Sequence, residues 1–329
     1  MATAASTVQQ LISMHPTNPV NDTNMQSESK KNWTHLYPPI TTLRVHTYVQ
    51  ADGSVIADFD SALLPYDTDE DLRLGEEAFP PNDRSYRLYS EADGITWFTS
   101  EIDSVVLAAF KRFPGVIHQS HHPPKLGSGS SAKVADTAYV VNFDGLVTSL
   151  AVGEFKRNLV HARQWQNNDL GPSQASFSRE LRGYAHMYEC PQVFCFDHQH
   201  LLMLQFRANS VDAIRHTNDV DCWVLPRENP GGTPFRYALY RLLVQGFRRF
   251  QGLHRTNVHL NGLAAETVDL FTGQPRWRIN GTLTRQPFGY TRALDRNTGA
   301  FYWLDEHGNV LMDQQGNFIW DTTRLWGGA

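Results

Sequence analysis

The stretch from Val134 to Arg157, VADTAYVVNFDGLVTSLAVGEFKR, constrains the fold more than any other part of the chain. Two apolar, β-branched runs flank Asp144-Gly145, a hairpin turn signature. The segment before it, ITWFTSEIDSVVLAAFKRF, sets Phe98, Ile102, Val105, Ala109 and Phe113 near helical spacing and stops at Pro114-Gly115. GVIHQSH reads as a short strand between the two. After the hairpin, SQASFSRELRGYAHMYE (173 to 189) predicts a helix with a Ser173 cap and a stop at Pro191. QVFCFD and LLMLQFRA, on either side of Asp197-His-Gln-His200, give a further strand pair, and TPFRYALYRLLVQGFRRFQ (233 to 251) a further amphipathic helix. The order helix, strands, helix, strands argues for a mixed α/β fold in which helices cover a central sheet.

Boundaries follow from where this pattern stops. Residues 1–35 are rich in Ser, Thr, Asn, Gln and Lys with little periodicity, and are expected to form a disordered or loosely packed arm. Residues 36–93 are expected to form a β accessory, with a hairpin around Ala51-Asp52-Gly53, followed by an acidic, turn-rich surface loop over residues 60 to 90. Residues 94–260 hold the core. Residues 261–329 form an aromatic β appendage in which Asp305-Glu-His-Gly-Asn309-Val-Leu-Met and Asp313-Gln-Gln-Gly-Asn317-Phe-Ile-Trp repeat directly. Two or three copies are too few for a solenoid, so a short β-meander is expected.

Composition narrows the function classes only slightly. A net charge of −5 over 329 residues does not mark the whole chain as a nucleic-acid binder, although a local basic cleft is compatible with it. Cys190, Cys195 and Cys222 lack zinc-ligand spacing and read as buried thiols in a reducing compartment. With no run of 18 apolar residues and no secretory leader pattern, the expectation is an intracellular protein, cytoplasmic or nuclear, without a membrane partner. Of the fourteen histidines, His118, His121 and His122 cluster before the glycine-serine loop and His198 and His200 lie in a turn, so they read as loop residues rather than as a helical i,i+4 or Cys-paired zinc pattern.

The chemistry lies in the hairpin. Asp136 opens its first strand, and Glu154-Phe155-Lys156 closes its second. Alternate residues of a strand share a face, so Glu154 and Lys156 point one way and Phe155 the other, while the antiparallel return brings Asp136 alongside. Asp144 is the rival acid, but its place before Gly145 makes it a turn residue. Two carboxylates and the Phe155 carbonyl make a hard oxygen site of the kind that suits Mg²⁺. Glu-x-Lys alone means little, since Glu28-Ser29-Lys30 in the arm has it too.

These residues resemble the PD-(D/E)XK nuclease superfamily, also called restriction-endonuclease-like, with Ala135-Asp136 and Glu154-Phe155-Lys156 as the matching positions and Ala135 standing where the motif has proline. The resemblance covers about residues 95 to 210. It implies a restriction-endonuclease-like sheet flanked by helices, metal binding by Asp136 and Glu154, and assistance of the attacking water by Lys156. It also implies supporting roles for Glu101 on the preceding helix and for Glu180 and Tyr184 on the following one, Glu180 standing where the superfamily usually has glutamine. Lys125, Lys133, Arg157 and Arg179 are candidates for holding nucleic-acid phosphates. The expected activity is cleavage of DNA or RNA with Mg²⁺, or Mn²⁺ in its place. The alternatives are a catalytically silent module of the same fold that binds nucleic acid or protein, and a protein partner held by the C-terminal repeats.

Overall fold

The computed structural model describes residues 5–22, 25–28, 31–112, 117–121 (backbone only), 134–255, 259–260, 263–285, 287 and 289–324. Seven strands form its central sheet: β1 (Arg44–Val45), β2 (Ile117–His121), β3 (Thr137–Phe143), β4 (Leu146–Phe155), β5 (Gln192–Phe196), β6 (His200–Phe206) and β7 (Val220–Pro226). Their order across the sheet is β1-β7-β6-β5-β4-β3-β2. β2, β3 and β4 run as an antiparallel meander; β5 lies parallel to β4, then β6 and β7 alternate, and β1 is parallel to β7. The Asp144-Gly145 turn forms as its sequence requires, with φ of 51° and 74°.

Helices α1 (Val8–Ile12), α2 (Glu91–Phe98), α3 (Pro172–Met187) and α4 (Phe235–Leu253) surround the sheet, the last three bearing on the site. α2 continues through a π turn, Thr99–Asp103, into Ser104–Ala108. The expected Ser173 cap is not used, because Gly171 caps α3 and Pro172 fills its first position, where proline's missing N–H costs nothing. α3 connects β4 to its parallel neighbour β5, the crossover that a parallel pair demands. One face of the sheet, with Tyr139, Phe155, Phe194, Phe196 and Met203, packs against α2 and α4. The other, with Val193, Cys195, Leu202 and Val224, packs against Leu181, Ala185 and Trp165.

Both segments before the expected core depart in part from the reading of the sequence. The arm is built into the fold: a Thr7–Gln10 capping box starts α1, and Val8, Leu11 and Ile12 are buried in the main core. Val20–Asp22 pairs in parallel with Tyr86–Leu88. Short elements anchored by a few apolar side chains leave too little periodicity to see among polar neighbours. The acidic loop is exposed over much of its length, as expected, but part of it is internal. Asp69, Glu70 and Arg73 are buried, with Arg73 2.7 Å from Asp69 and Arg248 of α4 paired to the same carboxylate. Acids read as surface residues are here the inner half of ion pairs with an arginine-rich helix.

The C-terminal residues form the expected small β units. Pro275–Ile279 lies between Thr267–Val268 and Thr282–Thr284, and Thr291–Asp295 pairs with Ala300–Leu304. In each repeat the aspartate accepts from the amides two and four residues ahead, Asp305 from His307 and Asn309, Asp313 from Gln315 and Asn317. Among the described residues no helix is long and apolar enough to cross a membrane.

Candidate active site

The geometry of the site depends on one irregularity in the hairpin. Ser149 pairs with Val140, but Ala151 pairs with Tyr139, so Leu150 is an extra residue in β4. From there Gly153 pairs with Thr137, and the next step sets Asp136 beside Glu154. Without the bulge Asp136 would stand opposite Gly153. Asp136 Oδ2 accepts the Phe155 amide at 2.8 Å, which fixes the acid at the end of β4. The bulge is held from α4. A Cβ on Gly246 would lie 2.2 Å from the Leu150 carbonyl oxygen, and the buried Arg249 guanidinium donates to the Ser149 carbonyl.

Glu154 is completely buried on the face toward α3. Its Oε1 accepts from Lys156 Nζ and, at 2.7 Å, from Lys31 Nζ. Lys31 also lies 3.0 Å from Glu180 Oε1, and Lys156 lies 3.6 Å from that same oxygen. Glu180 and Tyr184, one helical turn apart on α3, reach the cluster together. Lys31 donates to the Tyr184 hydroxyl, which stands 3.2 Å from the Val134 carbonyl and 3.4 Å from Glu180 Oε1. Glu154 Oε2 is buried without a hydrogen-bond partner among the described residues.

Burial pushes the Glu154 carboxyl up to about 8, with Asp136 and Glu180 adding to the rise and Lys156 and Lys31 opposing it. For Lys156 burial works downward, but the Glu154 and Glu180 charges outweigh it and hold the ammonium protonated above the usual lysine range. Lys31 is raised in the same way. Burial, then the carboxylates around it, keep Tyr184 a neutral phenol.

The hairpin thus brings Asp136, Glu154 and Lys156 together, and α3 adds Glu180 and Tyr184. Glu101 does not join them. The helix carrying it covers the Phe155 face, where Phe98 packs on Phe155, Phe194 and Phe196, the opposite side from Glu154. Its buried carboxylate instead accepts from Asn18 at 2.7 Å and Tyr86 at 2.9 Å and lies 3.5 Å from Arg236. Arg157 turns to the protein's own backbone, donating to the Tyr89 carbonyl at 2.8 Å. Arg179 is partly exposed on α3. Lys125 and Lys133 lie outside the described residues.

Lys31 went unseen in the sequence because it sits in the polar arm. The usable signal was Trp33 just after it, a large aromatic that a loose arm has no reason to carry, with Tyr37 just beyond the arm. Among the described residues, no three His, Cys, Asp or Glu side chains gather closely enough to hold a metal ion by themselves, so an ion here would draw on two carboxylates and water. The unpartnered Glu154 Oε2, a hard oxygen near a second acid, fits that demand.

A second polar chain lies elsewhere, with Ser61 Oγ 3.0 Å from His46 Nδ1 and His46 Nε2 2.8 Å from Asp221 Oδ1. Asp221 also accepts from Arg207 and Gln205, and the Ser61 amide is committed to Asp58. This chain fastens the 58–61 turn to β7, and the Ser61 amide is not free to serve as an oxyanion donor. Comparison of the protein with family models, with curated proteins and with solved structures finds no match.

Proposed function

We propose that the protein is a metal-dependent nuclease with a restriction-endonuclease-like core, hydrolysing DNA or RNA phosphodiester bonds with Mg²⁺ or Mn²⁺. The observation that carries this reading is the meeting of Asp136, Glu154 and Lys156 at the end of β4, with one buried Glu154 oxygen left unpartnered among the described residues. The run of helix, antiparallel meander, crossover helix and parallel strand supports the fold half of the reading.

Asp136 and Glu154 Oε2 would hold the ion, which supplies polarisation of the phosphate and a lowered pKa for a bound water. Lys156, held protonated by its carboxylates, has no free pair with which to take a proton. Its part is to neutralise charge developing on the phosphate and to orient the attacking water. Glu180 and Tyr184 position the two ammonium groups.

Purified protein incubated with supercoiled plasmid or labelled single strands and Mg²⁺ or Mn²⁺ tests this. Cleavage is expected to stop on chelation and to fall by about 10²-fold or more in Asp136→Ala and Lys156→Ala. Intact substrate under every condition, with retarded mobility of the nucleic acid, would move the protein to the catalytically silent, nucleic-acid-binding alternative.

A further inference from the structure

The chain around Lys31 is fastened on both sides. Upstream, the Ser27 amide donates to the Arg157 carbonyl at 2.8 Å, Ser27 Oγ accepts from the Arg157 amide at 3.1 Å, and Asn158 donates to the Met25 carbonyl at 2.8 Å. Downstream, Trp33 is buried edge-on to Tyr184 at 5.4 Å and Tyr37 at 6.1 Å. It fits there because position 183 is glycine: a Cβ on Gly183 would meet the Trp33 ring at 2.2 Å. Lys31 is therefore a fixture of the site rather than a passing surface side chain.

Its Nζ bridges Glu154 Oε1 at 2.7 Å and Glu180 Oε1 at 3.0 Å. A cation bridging two carboxylates is what a second divalent ion provides in a two-metal phosphodiesterase site. Here the position is filled by an ammonium, and a divalent ion arriving there would meet Lys31 and Lys156 on the same carboxylate oxygen. The open coordination of Glu154 is on Oε2.

We infer that Lys31 is a resident cation of this site. Its ammonium holds the place between Glu154 and Glu180 that a second divalent ion would take, and leaves Asp136 with Glu154 Oε2 to bind a single ion. The inference rests on the metal-dependent reading above. It makes Lys31 a positioning residue whose loss changes how many ions the site holds.

Mn²⁺ titration of the full chain, following the paramagnetic resonance signal of the free ion, counts bound ions without recourse to activity. Each variant is compared with its own Glu154→Gln counterpart, so that ions bound elsewhere cancel. Wild type is expected to hold one Glu154-dependent ion, Lys31→Arg one, and Lys31→Ala two, the second disappearing in Lys31→Ala/Glu180→Gln. One ion in both wild type and Lys31→Ala, bound equally tightly, would overturn the resident-cation role and leave the metal-dependent reading intact. No Glu154-dependent ion in wild type would overturn both. Because Lys31→Ala leaves buried carboxylates without a counter-ion, its melting is followed in parallel. Mn²⁺ is expected to raise its melting temperature more than that of wild type, and a rise no larger would count against the inference.

Discussion

Asp69 and Glu154 are both buried acids whose surroundings shift them in opposite directions. Burial would raise Asp69, but Arg73 and Arg248 overcome it and hold the carboxyl at about 2. A depressed acid stabilises the fold at pH values above its unfolded pKa near 3.8, and that stability is lost as pH falls toward 2. The span corresponds to about 2 kcal/mol, and an acid titration of melting temperature should show it as a limb that Asp69→Asn lacks. That variant also leaves two guanidinium groups buried, so it is expected to cost about 3 to 5 kcal/mol at neutral pH. Glu154 has the reverse sign. Its folded-state pKa is raised from 4.5 to about 8, so the fold binds the proton better than the unfolded chain, and stability falls as pH rises across that range. Relative to wild type, Glu154→Gln should therefore gain melting temperature from about pH 5 to about pH 8, a slope that denaturation at a series of pH values would reveal. A carboxylate kept where it costs stability is the pattern expected of a working residue.

At the scale of elements, the hairpin and its two covering helices were legible because their signals are local: an Asp-Gly turn between β-branched runs, and apolar residues at helical spacing. From those the hairpin could be drawn and Asp136 preferred to Asp144, whose φ of 51° is that of a turn residue, but the register set by the turn alone puts Asp136 opposite Gly153 rather than Glu154. The Leu150 bulge left no mark in Thr-Ser-Leu-Ala-Val, where an extra apolar residue looks like every other. Glu101 shows a related limit. Spacing placed it on a helix, but only packing decides which face of the sheet that helix covers. Gly246→Ala tests the dependence of the bulge on α4. The added methyl meets the Leu150 carbonyl, and an overpacking cost of about 2 kcal/mol is expected in chemical denaturation.

Across the whole molecule, the ends that looked like additions are tied to the centre. Arg292 pairs with Asp67 at 3.2 Å and Asp321 at 2.9 Å, the Gln251 side chain donates to the Gly299 carbonyl at 3.0 Å, and the Thr323 amide donates to the Gln251 carbonyl at 2.9 Å. Deleting residues 285 to 329 should therefore not release a removable module. The truncated protein is expected to melt lower than the full chain, and calorimetry showing an unchanged core transition would contradict this. The arm is tied in too, and its Lys31 was illegible because a lysine in a polar stretch reveals nothing of partners set by tertiary contact. The bulge at Leu150 makes the hairpin work like a vernier, in which one offset brings two marks into line. A Gly246 variant that slid back by one position would melt lower but could still fold, with Asp136, Glu154 and Lys156 all present. On the proposed function it is expected to be inactive, because Asp136 would face Gly153 instead of Glu154. Among folded but inactive variants, lesions in α4 would then signal lost alignment rather than lost ligands.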